Sequence, residues 1–436
     1  MEKPDIIISS MGHAGIGQLP EGRALLEAWR AEVIGGRELE ERLKRFRLDR
    51  LLSQQEAGVD WIPVGDLALR DRMLDHAAAF GLAPEPHGNG PSHAFHPACG
   101  SPEDAGFRTK PWYGASGRYV VPELAANAEP RLVRNPWVEA FLEARAILRA
   151  LPVPVMIGPY TFAKLADGLP TEEKLERLAP VYAEALRGLG EAGAEWAQLE
   201  EPELARPVPP EHWPHIGRAY RALHDAAPKL RLMLQLPYGA PDDLTRLLSL
   251  PAAGVGLDFT AGEGRALLEV AKRGFPADRV LGAGVIDGRR IWRSDLRAAC
   301  GLLENLRRLK PQIRLALQPS CSLAHAPAAP ADGRAPHGLP AHALATAGVK
   351  LRELRVLRDA LAEGRDAVKL DLIDSDVLQE MLRALLPAAV PADAGQVSAG
   401  PGGPPSGRKH AHAPGHAGSG PACGGPAAAK RALGTA

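Results

Sequence analysis

The chain has 436 residues, 45% hydrophobic and 24% charged, which excludes a wholly disordered or fibrous protein and allows either one large domain or two to three average ones. Lysine plus arginine and aspartate plus glutamate both number 52, so the formal net charge is zero. That balance gives no field for nucleic acid or an acidic membrane and makes a small molecule the expected partner.

Met1 to Asp5 lead into Ile6-Ile7-Ile8, an apolar run too short for a signal peptide or a membrane span, which predicts a cytoplasmic protein. Short aliphatic runs then alternate with long amphipathic segments. The runs at 6–9, 61–64, 155–157, 196–199, 230–236, 255–257, 280–283 and 313–317 read as eight strands buried on both faces. Between them, residues 42–56 are dense in Leu, Arg and Glu at helical spacing. Residues 172–192 place Leu175, Leu178, Val181, Tyr182 and Leu186 on one stripe. Eight strand–helix units without a dinucleotide fingerprint predict an α/β fold of the closed (β/α)8 TIM-barrel type. A loop at 87–129, rich in Gly, Pro and His, is long enough to suggest a functional insertion. After helices predicted at 341–362 and 374–386, the composition turns to Pro, Gly and Ala. The domain expectation is therefore a barrel over 1–386 and a disordered low-complexity tail over 387–436.

In such a barrel the residues just after each strand form the active mouth. Here they include Asp66, Glu200, Glu201, Asp258, Asp287, Cys321 and His325. Singly, each reads first as a helix cap or loop anchor; only as a set do they mark a candidate site. Cys321 and His325 could be a nucleophile and base or two zinc ligands, although a small packed thiol accounts for Cys321 as well. The four cysteines, Cys99, Cys300, Cys321 and Cys423, are far apart, form no CxxC pair and are expected as thiols. Two histidine groups have loose metal-ligand spacing: His87, His93 and His96 with Cys99 in the long loop, and His410, His412 and His416 with Cys423 in the tail.

The blocks Asp5-Ile-Ile-Ile-Ser-Ser-Met-Gly-His-Ala-Gly-Ile-Gly17, Glu56-Ala-Gly-Val-Asp-Trp-Ile-Pro-Val-Gly-Asp66, Thr109-Lys110, Ile157-Gly-Pro-Tyr-Thr-Phe162 and Gly193-Ala-Glu-Trp-Ala-Gln-Leu-Glu-Glu-Pro-Glu-Leu204 resemble, in order, the N-terminal half of cobalamin-independent methionine synthase. So do Gly284-Val-Ile-Asp-Gly-Arg-Arg-Ile-Trp-Arg293 and Pro319-Ser-Cys-Ser-Leu-Ala-His-Ala-Pro327. The resemblance implies the first of the family's two barrels. It further implies methyl transfer from 5-methyltetrahydrofolate polyglutamate to homocysteine, with the thiolate activated by zinc. The zinc ligands, one His, one Glu and two Cys, belong to the second barrel and have no counterpart in this sequence, so no catalytic or metal-binding residue is expected here.

What falls to this half is the anionic glutamate tail. Lys110 matches the family's tail-binding lysine. The stretch Pro20-Glu-Gly-Arg23 stands where the family has a second basic contact, which brings in Glu21 and Arg23. The implied partner is a zinc barrel encoded separately. Two alternatives are a stand-alone folate-like binding barrel without catalysis and an independent methyltransferase with its own metal site.

Overall fold

The computed structural model describes residues 6–12, 20–66, 71–82, 108–113, 118–326 and 343–385. They all fall within one compact unit, Met1–Gly395; a second unit, Gln396–Ala436, lies outside the described residues together with the tail histidines and Cys423.

Twelve strands are described: β1 (Ile6–Ile8), β2 (Trp61–Val64), β3 (Thr109–Pro111), β4 (Arg118–Val120), β5 (Glu123–Leu124), β6 (Leu151–Ile157), β7 (Asp167–Gly168), β8 (Trp196–Glu200), β9 (Arg231–Leu236), β10 (Gly254–Asp258), β11 (Val280–Ile286) and β12 (Arg314–Pro319). Eight of them form one parallel sheet in the order β1-β12-β11-β10-β9-β8-β6-β2. A parallel bridge from Ser9 to Trp61 joins its two ends, so the sheet closes into a barrel, and Asp60 N–H donates to the Ile8 carbonyl at 3.0 Å on the same seam. These are the eight strands expected from the aliphatic runs, and the fold is the predicted α/β barrel.

β6 begins at Leu151 rather than at the expected 155. Residues 151–154 include Pro152 and Pro154, and proline offers no N–H to a strand ladder. Leu151 N–H donates to Asp60 O on the β2 side, so by alternation the missing N–H groups of Pro152 and Pro154 face β8. The β8 ladder starts only at Val155, so no bond is lost.

The main core lies between the barrel and its helices, where Tyr182, Phe80, Trp137 and Phe162 are fully buried. A second core fills the barrel at the N-terminal ends of the strands: Trp61, Val153, Trp196, Met233, Val280 and Ala316, with the Trp61 and Trp196 rings 4.6 Å apart. The helices Pro20–Arg30 and Gly36–Glu56 form a hairpin with a small core of their own, Leu26, Ile34, Leu39 and Leu43. The helix predicted at 374–386 is described from Lys369 to Leu385. The helix expected at 341–362 is described from Ala347, capped by Thr346, to Glu363. No described helix is long and apolar enough to cross a membrane.

Candidate functional site at the barrel mouth

All eight barrel strands are parallel, so their C-terminal ends open on one mouth. Its floor is a layer of three glutamines. Gln235 and Gln318 exchange amide hydrogen bonds of 2.9 and 2.7 Å, and Gln235 also donates to Gln198 at 3.4 Å. All three are buried. Glycine on the neighbouring strands makes this possible: a Cβ on Gly256 would stand 1.6 Å from Gln235 Oε1, and one on Gly282 would stand 2.6 Å from Gln318 Oε1. Gln198 Nε2 donates upward to Glu200 Oε1 at 3.2 Å and sideways to the Met11 carbonyl at 3.1 Å. The floor is thereby linked to the loops above it.

Above the floor, Glu200 Oε2 accepts from Arg72 Nη1 at 2.7 Å. Arg72 opens the helix Arg72–Ala79, and three contacts fix that helix. Asp71, its N-cap, accepts from Met73 N–H at 2.8 Å and also from Val120 N–H on β4. His76 donates from Nδ1 to the Arg72 carbonyl at 2.7 Å and accepts at Nε2 from Ile157 N–H at 2.9 Å. Burial, and then the Arg72 cation, push the His76 pKa down to about 3, so this ring is a neutral strut with a fixed tautomer. Burial opposes the Arg72 charge, yet Glu200 and Asp66 outweigh it and hold its pKa above the ordinary arginine value. Nε and Nη2 of Arg72 are buried without a hydrogen-bond partner among the described residues.

Across the mouth, Asp258 ends β10. Its Oδ1 accepts from Thr260 N–H at 2.8 Å, Thr260 Oγ1 at 2.7 Å and Ala261 N–H at 3.0 Å, while Oδ2 is buried without such a partner among the described residues. Burial raises its pKa to about 6.

The mouth is partly roofed by β3 and the two residues after it. Trp112 Nε1 donates to the Tyr238 hydroxyl at 3.3 Å, Tyr113 stacks on Tyr238 with centroids 5.3 Å apart, and Tyr113 donates to Glu203 at 2.8 Å. Among the described residues four non-glycine residues have positive φ, and three of these belong to this rim: Met11 at 57°, Tyr113 at 41° and Tyr238 at 69°. Strain of this kind is held only where surrounding contacts over-determine it, and it gathers at functional sites.

Glu201, Asp287 and Cys321 serve the fold. Glu201 points outward and caps the helix Pro159–Leu165: it accepts from Tyr160 N–H (3.0 Å), Thr161 N–H (2.7 Å) and the Tyr220 hydroxyl (2.9 Å). Asp287 accepts from the backbone N–H groups of Arg289 and Arg290 and so anchors its own loop. Lys350, fully buried, donates to the Asp287 carbonyl at 2.6 Å and holds that loop from below. Cys321 is fully buried, and its sulfur lies where a Cβ on Gly288 would meet it at 2.8 Å. Burial, then the Asp258 charge, push its thiol pKa up, the opposite of what a nucleophile needs. The His325 side chain, and His87, His93, His96 and Cys99, lie outside the described residues. Among the described residues no three His, Cys, Asp or Glu side chains converge as a metal site, and this donor set does not fit zinc.

Lys110 is on β3, two residues before Trp112. Its Nζ donates to Asp167 Oδ1 at 3.1 Å, and Arg108 pairs with the other oxygen of the same carboxylate. The field of Lys110, like that of Lys164, reaches Lys174, whose pKa is lowered chiefly by burial. Glu21 and Arg23 are exposed on the helix Pro20–Arg30, and neither is paired among the described residues. The residue that sequence reasoning missed is Arg72. It follows a strand by eight residues, where only the helix start signal Asp71-Arg72 could have singled it out.

Among known proteins, residues 7–311 match the family described as "Cobalamin-independent synthase, N-terminal domain". The 5-methyltetrahydropteroyltriglutamate–homocysteine methyltransferase of Halalkalibacterium halodurans is 37% identical over 370 residues, which is 83% of this chain and 49% of that protein. The protein of the same name from Listeria innocua is 34% identical over 387 residues, 87% of this chain and 50% of the relative. The chain thus spans about half the length of the curated relatives it matches. A solved B12-independent methionine synthase from Shewanella, in complex with selenomethionine, superposes with a TM-score of 0.55 at 13% identity, covering 84% of this chain and 98% of that one. At that identity the likeness speaks for the fold.

Proposed function

Since this chain belongs to the cobalamin-independent methionine synthase family as its N-terminal domain, we propose that it is the folate-tail-binding half of such a synthase. The reaction is methyl transfer from 5-methyltetrahydrofolate polyglutamate to homocysteine, with the thiol-activating zinc held by a second barrel, either in continuation of the chain or as a separate polypeptide. Zinc lowers a bound thiol's pKa, and no residue described in this half takes part in that step.

The observation that carries this reading is the cationic cluster around Asp167. Arg108 and Lys110 share that one carboxylate, with Lys164 and Lys174 close by, so positive charge exceeds what the aspartate neutralises. A polyglutamate tail offers a row of carboxylates to such a cluster, and the half-exposed Lys110 can exchange Asp167 for one of them. We assign the outer end of the tail to Arg23 and Glu21, where the exposed guanidinium would take a carboxylate and Glu21 would limit how closely the tail approaches.

A contact of this exposed kind contributes on the order of 1 kcal/mol and weakens with salt. Lys110→Ala is therefore expected to weaken triglutamyl folate binding several-fold at low salt while leaving monoglutamyl folate nearly unchanged, as read by calorimetry. Equal losses for both ligands would instead assign Lys110 to the fold or the pterin pocket. A second reading, a barrel that binds folate by itself without catalysis, is favoured by the closure of the barrel within this chain through Ser9 and Trp61.

A further inference from the structure

The mouth of this barrel carries polar groups that folate-tail binding leaves unused. Two guanidinium nitrogens of Arg72 and one carboxylate oxygen of Asp258 are buried and lack hydrogen-bond partners among the described residues. Asp258 is 99% buried, so Oδ2 cannot turn to solvent, and its other oxygen is fully engaged by Thr260 and Ala261. A buried polar group left unpaired costs about 1–3 kcal/mol, so three such atoms around one mouth call for a common explanation.

Both groups belong to the inner side of the barrel. Gln198 and Glu200 share one face of β8, and Glu200 receives Arg72 from above. Gly256 shares a face of β10 with Asp258 and abuts the glutamine floor. Only β9 separates the two strands. The β8 and β10 backbones are therefore two strand spacings of about 4.8 Å apart, so the end of β8 that holds Arg72 through Glu200 and the end of β10 that carries Asp258 border one stretch of the mouth.

The chemistry selects the occupant. A simple anion would sit on Arg72 but face Asp66, Glu200 and Asp258; a simple cation would meet Arg72. A molecule with a carboxylate for the free edge of Arg72 and an ammonium for Asp258, the two groups one carbon apart, satisfies both sets of atoms. The remainder of such a molecule would lie under the aromatic roof of Trp112, Tyr113 and Tyr238, whose strained backbone holds those rings in place.

We propose that the mouth of this barrel binds a free α-amino acid, its carboxylate on Arg72 and its ammonium on Asp258, over the glutamine floor. This site uses none of Lys110, Arg23 or Glu21 and stands whether or not the chain binds folate.

The test is thermal denaturation of the full chain with a mixture of the common L-amino acids at millimolar concentration each, followed by single amino acids to find the ligand. A ligand at several times its Kd is expected to raise the midpoint by about two degrees. The matched amines that lack the carboxylate, and the matched acids that lack the ammonium, should give no shift. Arg72→Gln and Asp258→Asn should each abolish the ligand-dependent shift, which is read against each variant's own baseline, so a lower intrinsic stability does not obscure it. Calorimetry with the best single amino acid should show the same losses, at least tenfold in Kd. No shift with the wild-type chain overturns the proposal, as does a shift that survives in both variants.

Discussion

Glu200 and Glu201 are adjacent in sequence and do opposite work. Glu200 faces the barrel axis and meets Arg72; Glu201 faces the helix layer and satisfies two backbone N–H groups and a tyrosine. Glu201→Ala leaves those donors unpaired in a buried place and is expected to destabilise the fold by about 2–4 kcal/mol, measured by denaturant unfolding. Burial, against the opposing hydrogen bonds from Thr161 and Tyr160, raises the Glu201 pKa from 4.5 to about 7. The native state therefore holds a proton that the unfolded state releases between those two values, so this group's contribution to stability is full below pH 4.5 and falls as pH rises toward 7. In Glu201→Gln that share of the fall disappears. The variant should lose more stability relative to wild type below pH 4.5 than above pH 7, and a parallel pH dependence of the two proteins would argue that folding leaves the Glu201 pKa unchanged.

At the scale of elements, the polar floor is built jointly by five strands, β8 to β12, and its glycines are as necessary as its glutamines. Gly256→Ala would drive a methyl into the Gln235–Gln318 amide pair. Overpacking of this kind costs about 1–3 kcal/mol, and the variant should show it as a lowered urea midpoint with an unchanged m-value. The helix Arg72–Ala79 is a second joint unit, since Asp71 caps it and also receives β4, which pairs with the strand that carries Lys110. Asp71→Ala should cost about 1–2 kcal/mol and, beyond that, weaken both amino-acid and folate-tail binding, because Arg72 and Lys110 lie on either side of that joint.

For the molecule as a whole, the family relation sets the largest expectation. Without a second barrel, the chain is expected not to methylate homocysteine from methyltetrahydrofolate even with zinc added, and turnover above a no-enzyme blank would refute this. The Pro, Gly and Ala composition of residues 387–436 offers little apolar surface to bury. Removing them should leave the thermal midpoint within about two degrees of the full chain; a larger drop would place part of this segment against the barrel.

The sequence by itself determined the eight strands, the closed parallel barrel and the family, because aliphatic runs buried on both faces and colinear blocks are local signals that survive without contacts. It also marked the strand-end carboxylates, since the end of a parallel strand is a position along the chain. Only the tertiary structure decided what each of them does. Whether a side chain at a strand end turns to the axis or to the helices depends on strand register and barrel stagger, and this separated Glu200 from Glu201. The role of Arg72 was hidden for the same reason. Its partner Glu200 is 128 residues away, and no spacing rule carries a contact that forms only once β2, β6 and β8 lie side by side in the sheet.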